Sequence, residues 1–409
     1  FTFLSNGSCN QSGMTVANAY LTYSKTSRME VYSDGIAMNA TVNYGGSVFV
    51  SNGGTATGAT VNSNGYIHVS SGAVCLAPTL NLAGRVYVYS NGIVSGGEVN
   101  SRGYICISAG GSAIRIAVLF GGSLYGNGTG CSFSGTIVSS GGYFSPGNES
   151  GCLAIHTTIC QNAAMSIYAG CEVSHTEVQS GGIVYVASGG KCIDIVVQSG
   201  GKIDHGVWGH DELTSVTGSN QYGSFQTING TASGYVLAGA NQQLYYYASA
   251  ISTIMSAGGT QFVSFGAVAT GGTAFSGGCQ WVYSSGRAED TVLSSQGYQY
   301  IDFYGTALRT TVCSGANMYV SNNGRAVSAM IERYGSQYVS RNAQVTSCDV
   351  SGYQVLFNNC FALHTTVHSG AYQYLRNVCS ASGATILSGG SLHISYYCSY
   401  TGINVSDGG

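Results

Sequence analysis

Charge is what this sequence has least of. Its 409 residues include only 13 Lys or Arg and 16 Asp or Glu, 7% of the chain, against roughly 25% in an ordinary soluble domain. With a net charge of −3 and no block of either sign, the chain lacks the basic footprint of a nucleic-acid-binding protein and a polybasic route to membranes. No apolar run approaches the ~20 residues that cross a bilayer as a helix, so this segment is not expected to insert. Phe1-Thr2-Phe3-Leu4 is too short for a secretory signal, and the sequence reads as a mature or trimmed piece. Proline occurs twice. None of the 14 cysteines forms a Cys-x-x-Cys pair, which gives a zinc or thioredoxin-like reading little support. The chain is equally not disordered, because disordered segments are poor in aromatic and β-branched residues. Here aromatics reach 11%, with 30 Tyr, and Val and Ile recur throughout.

What the sequence has in quantity is glycine, 62 residues, placed as punctuation in a repeat. Gly46, Gly65, Gly84, Gly103 and Gly122 are each 19 apart. Gly142 follows after 20, Ala163 after 21, and Gly182 and Gly201 return to 19. Ala240, Gly259, Gly278, Gly297, Ala316 and Gly335 resume at 19, a 17-residue step leads to Gly352, and Ala371, Gly390 and Gly409 complete the series. With this residue as position 0, positions 2 and 4 are apolar in the first half, as in Val48/Val50, Ile67/Val69 and Val86/Val88. Period-two alternation marks a strand with those residues inward. Position 8 is small, position 10 is often Ala, and positions 14 and 15 read Thr-Val (Thr41-Val42, Thr60-Val61, Thr311-Val312). One repeat therefore holds two clear strands and a short third around position 10, with glycine corners. A unit of this size that cannot bury its apolar face alone is one turn of a solenoid. The predicted fold is all-β, a right-handed parallel β-helix of about 20 turns that rises ~4.8 Å per turn. The expected organisation is an irregular cap or docking segment over 1–26, a first half over 27–201, an irregular insertion over 202–222 and a second half over 223–409.

The repeat resembles that of AIDA-type autotransporter passengers. The best copies run from Gly297-Tyr-Gln-Tyr-Ile to Thr311-Val312-Cys313-Ser314-Gly315, and from Gly352-Tyr-Gln-Val-Leu to Thr366-Val367-His368-Ser369-Gly370. Gly182-Ile-Val-Tyr-Val-Ala-Ser-Gly-Gly is a first-half version. The resemblance covers roughly residues 27–409. It implies a secreted bacterial surface protein with a right-handed β-helix, active in adhesion, self-association and biofilm-type aggregation, with O-glycosylation on Ser or Thr. The signal and the membrane β-barrel usual in that family are not in this sequence, and its 14 cysteines exceed the few that such passengers carry.

Four features are candidates for function. Position 3 points outward if positions 2 and 4 point in, and it reads Phe49, His68, Tyr87, Tyr125 and Tyr185, then Phe262, Trp281, Tyr300, Tyr319, Tyr338 and Tyr374. Stacked turn on turn, these form an aromatic stripe. It reads either as a contact surface for another copy or for host or matrix glycans, or as rings that only shield one another and favour strand pairing. Position 2 becomes Gln in the second half (Gln242, Gln261, Gln280, Gln299, Gln337, Gln354, Gln373), a candidate internal amide ladder. Cys152 and Cys171 are 19 apart, as are Cys360, Cys379 and Cys398. One turn of rise lies inside the Cα range of a disulfide, so these are either axial staples or free half-buried thiols. Asp204, His205, His210, Asp211 and Glu212 form the one dense polar cluster, read as a solvated loop before a metal site.

The acids otherwise fall at different repeat positions and no nucleophile–base pair stands out. No catalytic residue, metal or cofactor is expected. The sequence points to a non-enzymatic adhesive or self-associating extracellular protein. A subunit of a filament polymerised end to end is a second reading, and a tailspike-like carbohydrate-active β-helix a third.

Overall fold

The computed structural model describes residues 2–3, 13–21, 27–187, 189–198, 200–205, 215–221, 225–228 and 231–409, of which 2–3, 205, 215–221 and 225–228 are described as backbone alone. The fold is all-β, a parallel β-solenoid of about 19 turns with about 19 residues in each. No helix occurs among the described residues. The chain divides into two units, Phe1–Val216 and Thr217–Gly409. Of the segment expected to be irregular, Lys202–His205 pairs in parallel with Ile183–Val186, whereas 206–214 and 222–224 lie outside the described residues. So do 1, 4–12 and 22–26 of the expected cap; its strands Thr15–Ala17 and Tyr20–Leu21 pair with Ile36–Met38 and Thr41–Val42.

Most turns carry three strands, and in a few the second and third run together, as in Cys171–Val178. In one turn the three are Ser47–Val50, Thr55–Thr57 and Thr60–Val61, at positions 1–4, 9–11 and 14–15. The first strand is the longest because it alternates strictly, with Val48 and Val50 fully buried and Ser47 and Phe49 half-exposed. The short strands contribute Ala56 and Val61 to the same interior. Every strand pairs in parallel with its counterpart one turn on, so Ile67 lies between Val48 and Val86 and each column repeats its residue type. Backbone groups at the corners are satisfied the same way, as in Thr55 N–H to Gly35 O at 2.9 Å and Val74 N–H to Gly54 O at 3.1 Å. Within a turn the backbone closes only short corner bonds, as Gly54 N–H to Ser51 O at 2.8 Å; the strands pair only with the turns on either side, so no turn is stable without its neighbour.

Position 0 admits only small residues, and at some turns proximity leaves room for glycine alone. A Cβ on Gly297 would sit 2.1 Å from the carbonyl oxygen of Ala274 in the turn before, closer than any contact side chains make. The shortened turn shows the same constraint at its extreme. Ile331 and Val350 pair at an interval of 19, Gln337 and Gln354 at 17, so the two lost residues come from the third corner. A Cβ on Gly352 there would meet the carbonyls of Glu332 and Gly335 at 2.3 and 2.4 Å.

In the second unit the interior is partly polar. Gln261 Nε2 donates to Gln242 Oε1 at 2.8 Å, Gln280 to Gln261 at 2.8 Å and Gln299 to Gln280 at 2.7 Å. Met318 interrupts the column, with Gln337 Nε2 at 3.3 Å from its sulfur. The ladder then resumes from Gln354 to Gln337 and from Gln373 to Gln354, both at 2.6 Å. Threonines of the third face complete it: Thr291 and Thr310 each donate to a ladder oxygen at 3.0 Å. All these glutamines are fully buried, where a satisfied amide contributes about 1 kcal/mol and an orphaned one costs about 1–3 kcal/mol. Gln280→Leu strands the amide of Gln299, the oxygen of Gln261 and the hydroxyl of Thr291. It is expected to lower unfolding stability by about 2–4 kcal/mol, read as a lower denaturant midpoint. An unchanged midpoint would mean that the ladder contributes nothing.

Candidate functional site

The alternation that buries positions 2 and 4 turns positions 1 and 3 outward, and the in-register pairing stacks them. In the second unit Phe262, Trp281, Tyr300, Tyr319 and Tyr338 follow one another with ring centroids 6.1, 5.5, 4.9 and 5.2 Å apart. Tyr300, Tyr319 and Tyr338 lie within 13° of parallel. At the next turn position 3 is Val355, which is buried, and the ring series passes instead through Tyr353 at position 1. Tyr353 lies 6.4 Å from Tyr338 and 5.3 Å from Tyr374, and Tyr374 stacks on His393 at 4.6 Å.

The first unit repeats the arrangement. Phe49 stacks on His68 at 4.4 Å, with the Arg28 guanidinium 3.9 Å over its ring. His68 lies 5.6 Å from Tyr87, and Tyr87 6.2 Å from Tyr104 at position 1, because Cys106 holds position 3 there. Tyr125 and Tyr143 follow at 5.3 and 5.4 Å. Burial, then the Arg28 charge, lowers the pKa of His68, so the stack is held by neutral rings. Tyr185 stands apart, since its in-register neighbours are Ser166 and Asp204.

The position-3 residues are thus brought together, but the stripe is two columns wide. Residues two apart on a strand share a face, and that rule was the signal for Tyr104, Tyr143 and Tyr353, which a reading of position 3 alone omits. Most of these rings are half-exposed, and Trp281 is 39% exposed. No charged residue occupies position 1 or 3 in any of the turns from Thr260 to Tyr374.

A second group of aromatics was missed outright. At the first corner two consecutive residues adopt positive φ, as Asn322 and Asn323 do at 45° and 64°. This is ordinary for Asn and Gly and unfavourable for bulky side chains. Tyr246 and Tyr247 (45° and 65°) and Phe303 and Tyr304 (38° and 66°) occupy the same corner. Tyr247 is 84% exposed and Tyr304 67%. The signal was an aromatic pair where other turns read Asn-Asn or Ser-Ser.

The thirteen described cysteines are free thiols. Cys152 and Cys171 are in-register partners, and Cys131 heads the same column. The Cys131 and Cys152 thiols both donate to Gly128 O at 3.2 Å, and Cys171 to Gly147 O at 3.1 Å. In the other column the Cys360 backbone N–H donates to the Cys379 sulfur at 3.4 Å. The hydrogen bond between the two thiols, with burial, holds the Cys360 pKa up, and Cys379, which receives both bonds, is held low. Cys398 lies one turn further on. Burial alone pushes Cys75 and Cys192 up to about 12, so neither is a nucleophile.

Some of the few charges are paired along columns. Glu172 and Lys191, 19 residues apart, meet at 2.8 Å. Arg309 clasps Asp290, also 19 residues away, through Nε at 2.6 Å and Nη2 at 2.9 Å, and reaches Glu289 at 3.0 Å. Hydrogen bonding from Arg309 holds the Asp290 carboxyl below its usual range. Asp290 is therefore held in an ion-paired group, and opposite charges one period apart were the overlooked sign. Asp302 accepts from Ser321 at 3.1 Å and Asn322 at 2.6 Å. Among the described residues no group of three metal-ligating side chains converges. Asp204 is bound by Lys202 at 2.8 Å, while the side chain of His205 and residues His210, Asp211 and Glu212 lie outside the described residues.

No protein-family model matches the chain, and no curated protein does. Among solved structures it is similar to the crystal structure of the TibC-catalysed hyper-glycosylated TibA55-350 fragment, at 23% identity and a TM-score of 0.25, over 96% of this chain and 98% of that one. It is also similar to the Siphovirus 9NA tailspike receptor binding domain, at 11% identity and a TM-score of 0.13, over 94% and 72%.

The thiol environments have a direct consequence. In native protein treated with N-ethylmaleimide, the partly exposed Cys160, Cys279, Cys313 and Cys398 are expected to label first, and the buried Cys75, Cys192 and Cys348 only on unfolding. Peptide mass mapping reads the order, and early labelling of Cys75 or Cys192 would contradict the packing described.

Proposed function

We propose that this chain is a non-enzymatic extracellular protein that works by contact, as an adhesive and self-associating element of a bacterial cell surface. One observation carries the reading: on the first strand of successive turns the outward positions present stacked, half-exposed rings with no charge among them, from Phe262 to Tyr374. A contiguous uncharged aromatic surface is the composition of contact faces. The corner aromatics add to it. Tyr247 and Tyr304 adopt a costly backbone conformation to stand in solvent, and strain of this kind clusters at functional sites. The acids support the non-enzymatic part, since Asp290, Glu289 and Glu172 are committed to ion pairs. In an oxidising setting, the column neighbours Cys152 and Cys171, and Cys360 and Cys379, close as axial disulfides, each pair passing two hydrogens to dioxygen or a low-molecular-weight disulfide.

Two measurements test this. Tyr300→Glu combined with Tyr338→Glu is expected to shift the protein toward monomer in sedimentation velocity while its circular dichroism and melting stay unchanged. Undiminished association in the folded variant removes the stripe from the mechanism. Alkylation of the secreted protein in denaturant, followed by intact mass, is expected to find the four column cysteines unmodified until reduction; their complete alkylation without reductant excludes the bridges.

A further inference from the structure

Between residues 27 and 205 the structure departs from its own period at one place. Ser108 and Asn127 pair at an interval of 19, but Ser112 and Ser132 pair at 20. The extra residue therefore lies in the first corner, between Asn127 and Ser132. One turn on, Tyr125 and Ser145 pair at 20 and Ser132 and Leu153 at 21, so the same corner grows again. The following turn restores the period, with Cys152 and Cys171 at 19. Two successive corners thus bulge and the next does not.

The bulge is built, not loose. The interior beneath it is filled by two fully buried phenylalanines, Phe133 and Phe144, edge to face at 5.0 Å. Its added carbonyls are held from inside by the column thiols, Gly128 O by Cys131 and Cys152, and Gly147 O by Cys171. Close approach fixes the strand end as well: a Cβ on Gly126 would lie 1.9 Å from Pro146 O.

Beside the displaced corners the outer face of the first strand becomes the wall of a cleft of about 560 Å³, a size typical of small-molecule sites. Four tyrosines line it, Tyr104, Tyr125, Tyr143 and Tyr168, together with Asn127 and Asn148, and no charged side chain does. The rings are tilted against one another, Tyr104 to Tyr125 by 38° and Tyr125 to Tyr143 by 43°, unlike the near-parallel stack of Tyr300 to Tyr338. Tilted rings leave part of each face open. Burial raises the Tyr104 phenol, and pushes that of Tyr143 up to about 12, so both remain hydroxyl donors. Flat apolar faces ringed by neutral donors and acceptors match a pyranose ring, which has one apolar face and an edge of hydroxyls. The same lining offers nothing to balance a carboxylate or sulfate, whose burial without a partner is costly.

We propose that this cleft is a binding subsite for a neutral oligosaccharide, with sugar rings on Tyr125, Tyr143 and Tyr168 and hydroxyls bonded by Asn127 and Asn148. The subsite goes beyond the contact function proposed above and does not depend on association through the second unit.

Saturation-transfer NMR of the full chain tests it, with hexasaccharides of β-1,4-glucose, α-1,4-glucose, β-1,4-mannose and β-1,4-xylose, and with hexauronates as charged counterparts. At least one neutral hexasaccharide is expected to bind and the hexauronates not to. Tyr168→Ala, at a half-exposed position, and Tyr143→Ala are each expected to weaken binding by about tenfold, whereas Tyr143→Phe, which keeps the ring, retains it. The Tyr300→Glu, Tyr338→Glu variant is expected to bind as the parent does, which separates this site from the second-unit part of the stripe. No signal from any neutral hexasaccharide, binding of the uronates alone, or binding untouched by Tyr168→Ala in the folded protein would each overturn the proposal.

Discussion

Parallel pairing in register, one turn upon the next, is the constraint on which everything else in this molecule depends. A turn of 19 residues closes only short bonds at its corners, as Gly65 N–H to Asn62 O; the N–H and C=O groups of its strands are satisfied by the turns on either side. Because the pairing is in register, a residue type that suits one turn must suit contact with itself. Val stacks on Val, Gln donates to Gln, Tyr lies on Tyr, and glycine recurs where the chain of the preceding turn leaves no room for a Cβ. The same constraint disfavours charge, since a charged residue repeated one period on would repel its own copy. The charges that survive include pairs of opposite sign one turn apart, as Glu172 with Lys191 and Asp290 with Arg309, and pairs two apart on one strand, as Arg287 with Glu289.

This gives a common origin to features that look unrelated. The buried glutamines are tolerable because the ladder satisfies each amide with the next one and with a threonine hydroxyl. The aromatic face is the outward counterpart of the same ladder. Neighbouring rings shield one another along the stack and leave their edges and outer faces to solvent, so a long uncharged surface is kept without collapsing it. Around the two lengthened corners at Asn127 and Asn148 the rings of Tyr104, Tyr125 and Tyr143 are tilted against one another and line a cleft. Regular turns make a surface for extended contact, and irregular ones make a cleft.

Much of the fold was legible in the sequence, because a periodic fold writes itself many times over. The glycine period, the inward alternation of Val48/Val50 and its repeats, and the short third strand around Ala56 all followed from residue types alone. The glutamine ladder followed too, since seven amides at one inward position have few other partners. The site was legible only in outline. Position 3 was readable as outward, but Tyr104, Tyr143 and Tyr353 join the stripe from position 1, a matter of which outward neighbour fills a gap left by Cys106, Ser145 or Val355. The corner aromatics Tyr247 and Tyr304 were legible only as an aromatic pair where other turns read Asn-Asn or Ser-Ser, because sequence does not print φ. The lengthened turns were visible as numbers, 20 and 21, yet nothing in those numbers says whether added residues bulge outward or are absorbed. That depends on what fills the space beneath, here Phe133 and Phe144.

The central claim is that residues one period apart are spatial neighbours, and through-space solid-state NMR of the labelled protein tests it most directly. The account predicts side-chain amide cross-peaks between Gln261 and Gln280 and between Gln280 and Gln299, each 19 apart. It also predicts one between Gln337 and Gln354, which are 17 apart. The odd interval makes the test strict. Absence of these peaks, or cross-peaks that instead join strands consecutive in sequence as antiparallel hairpins, would contradict the account.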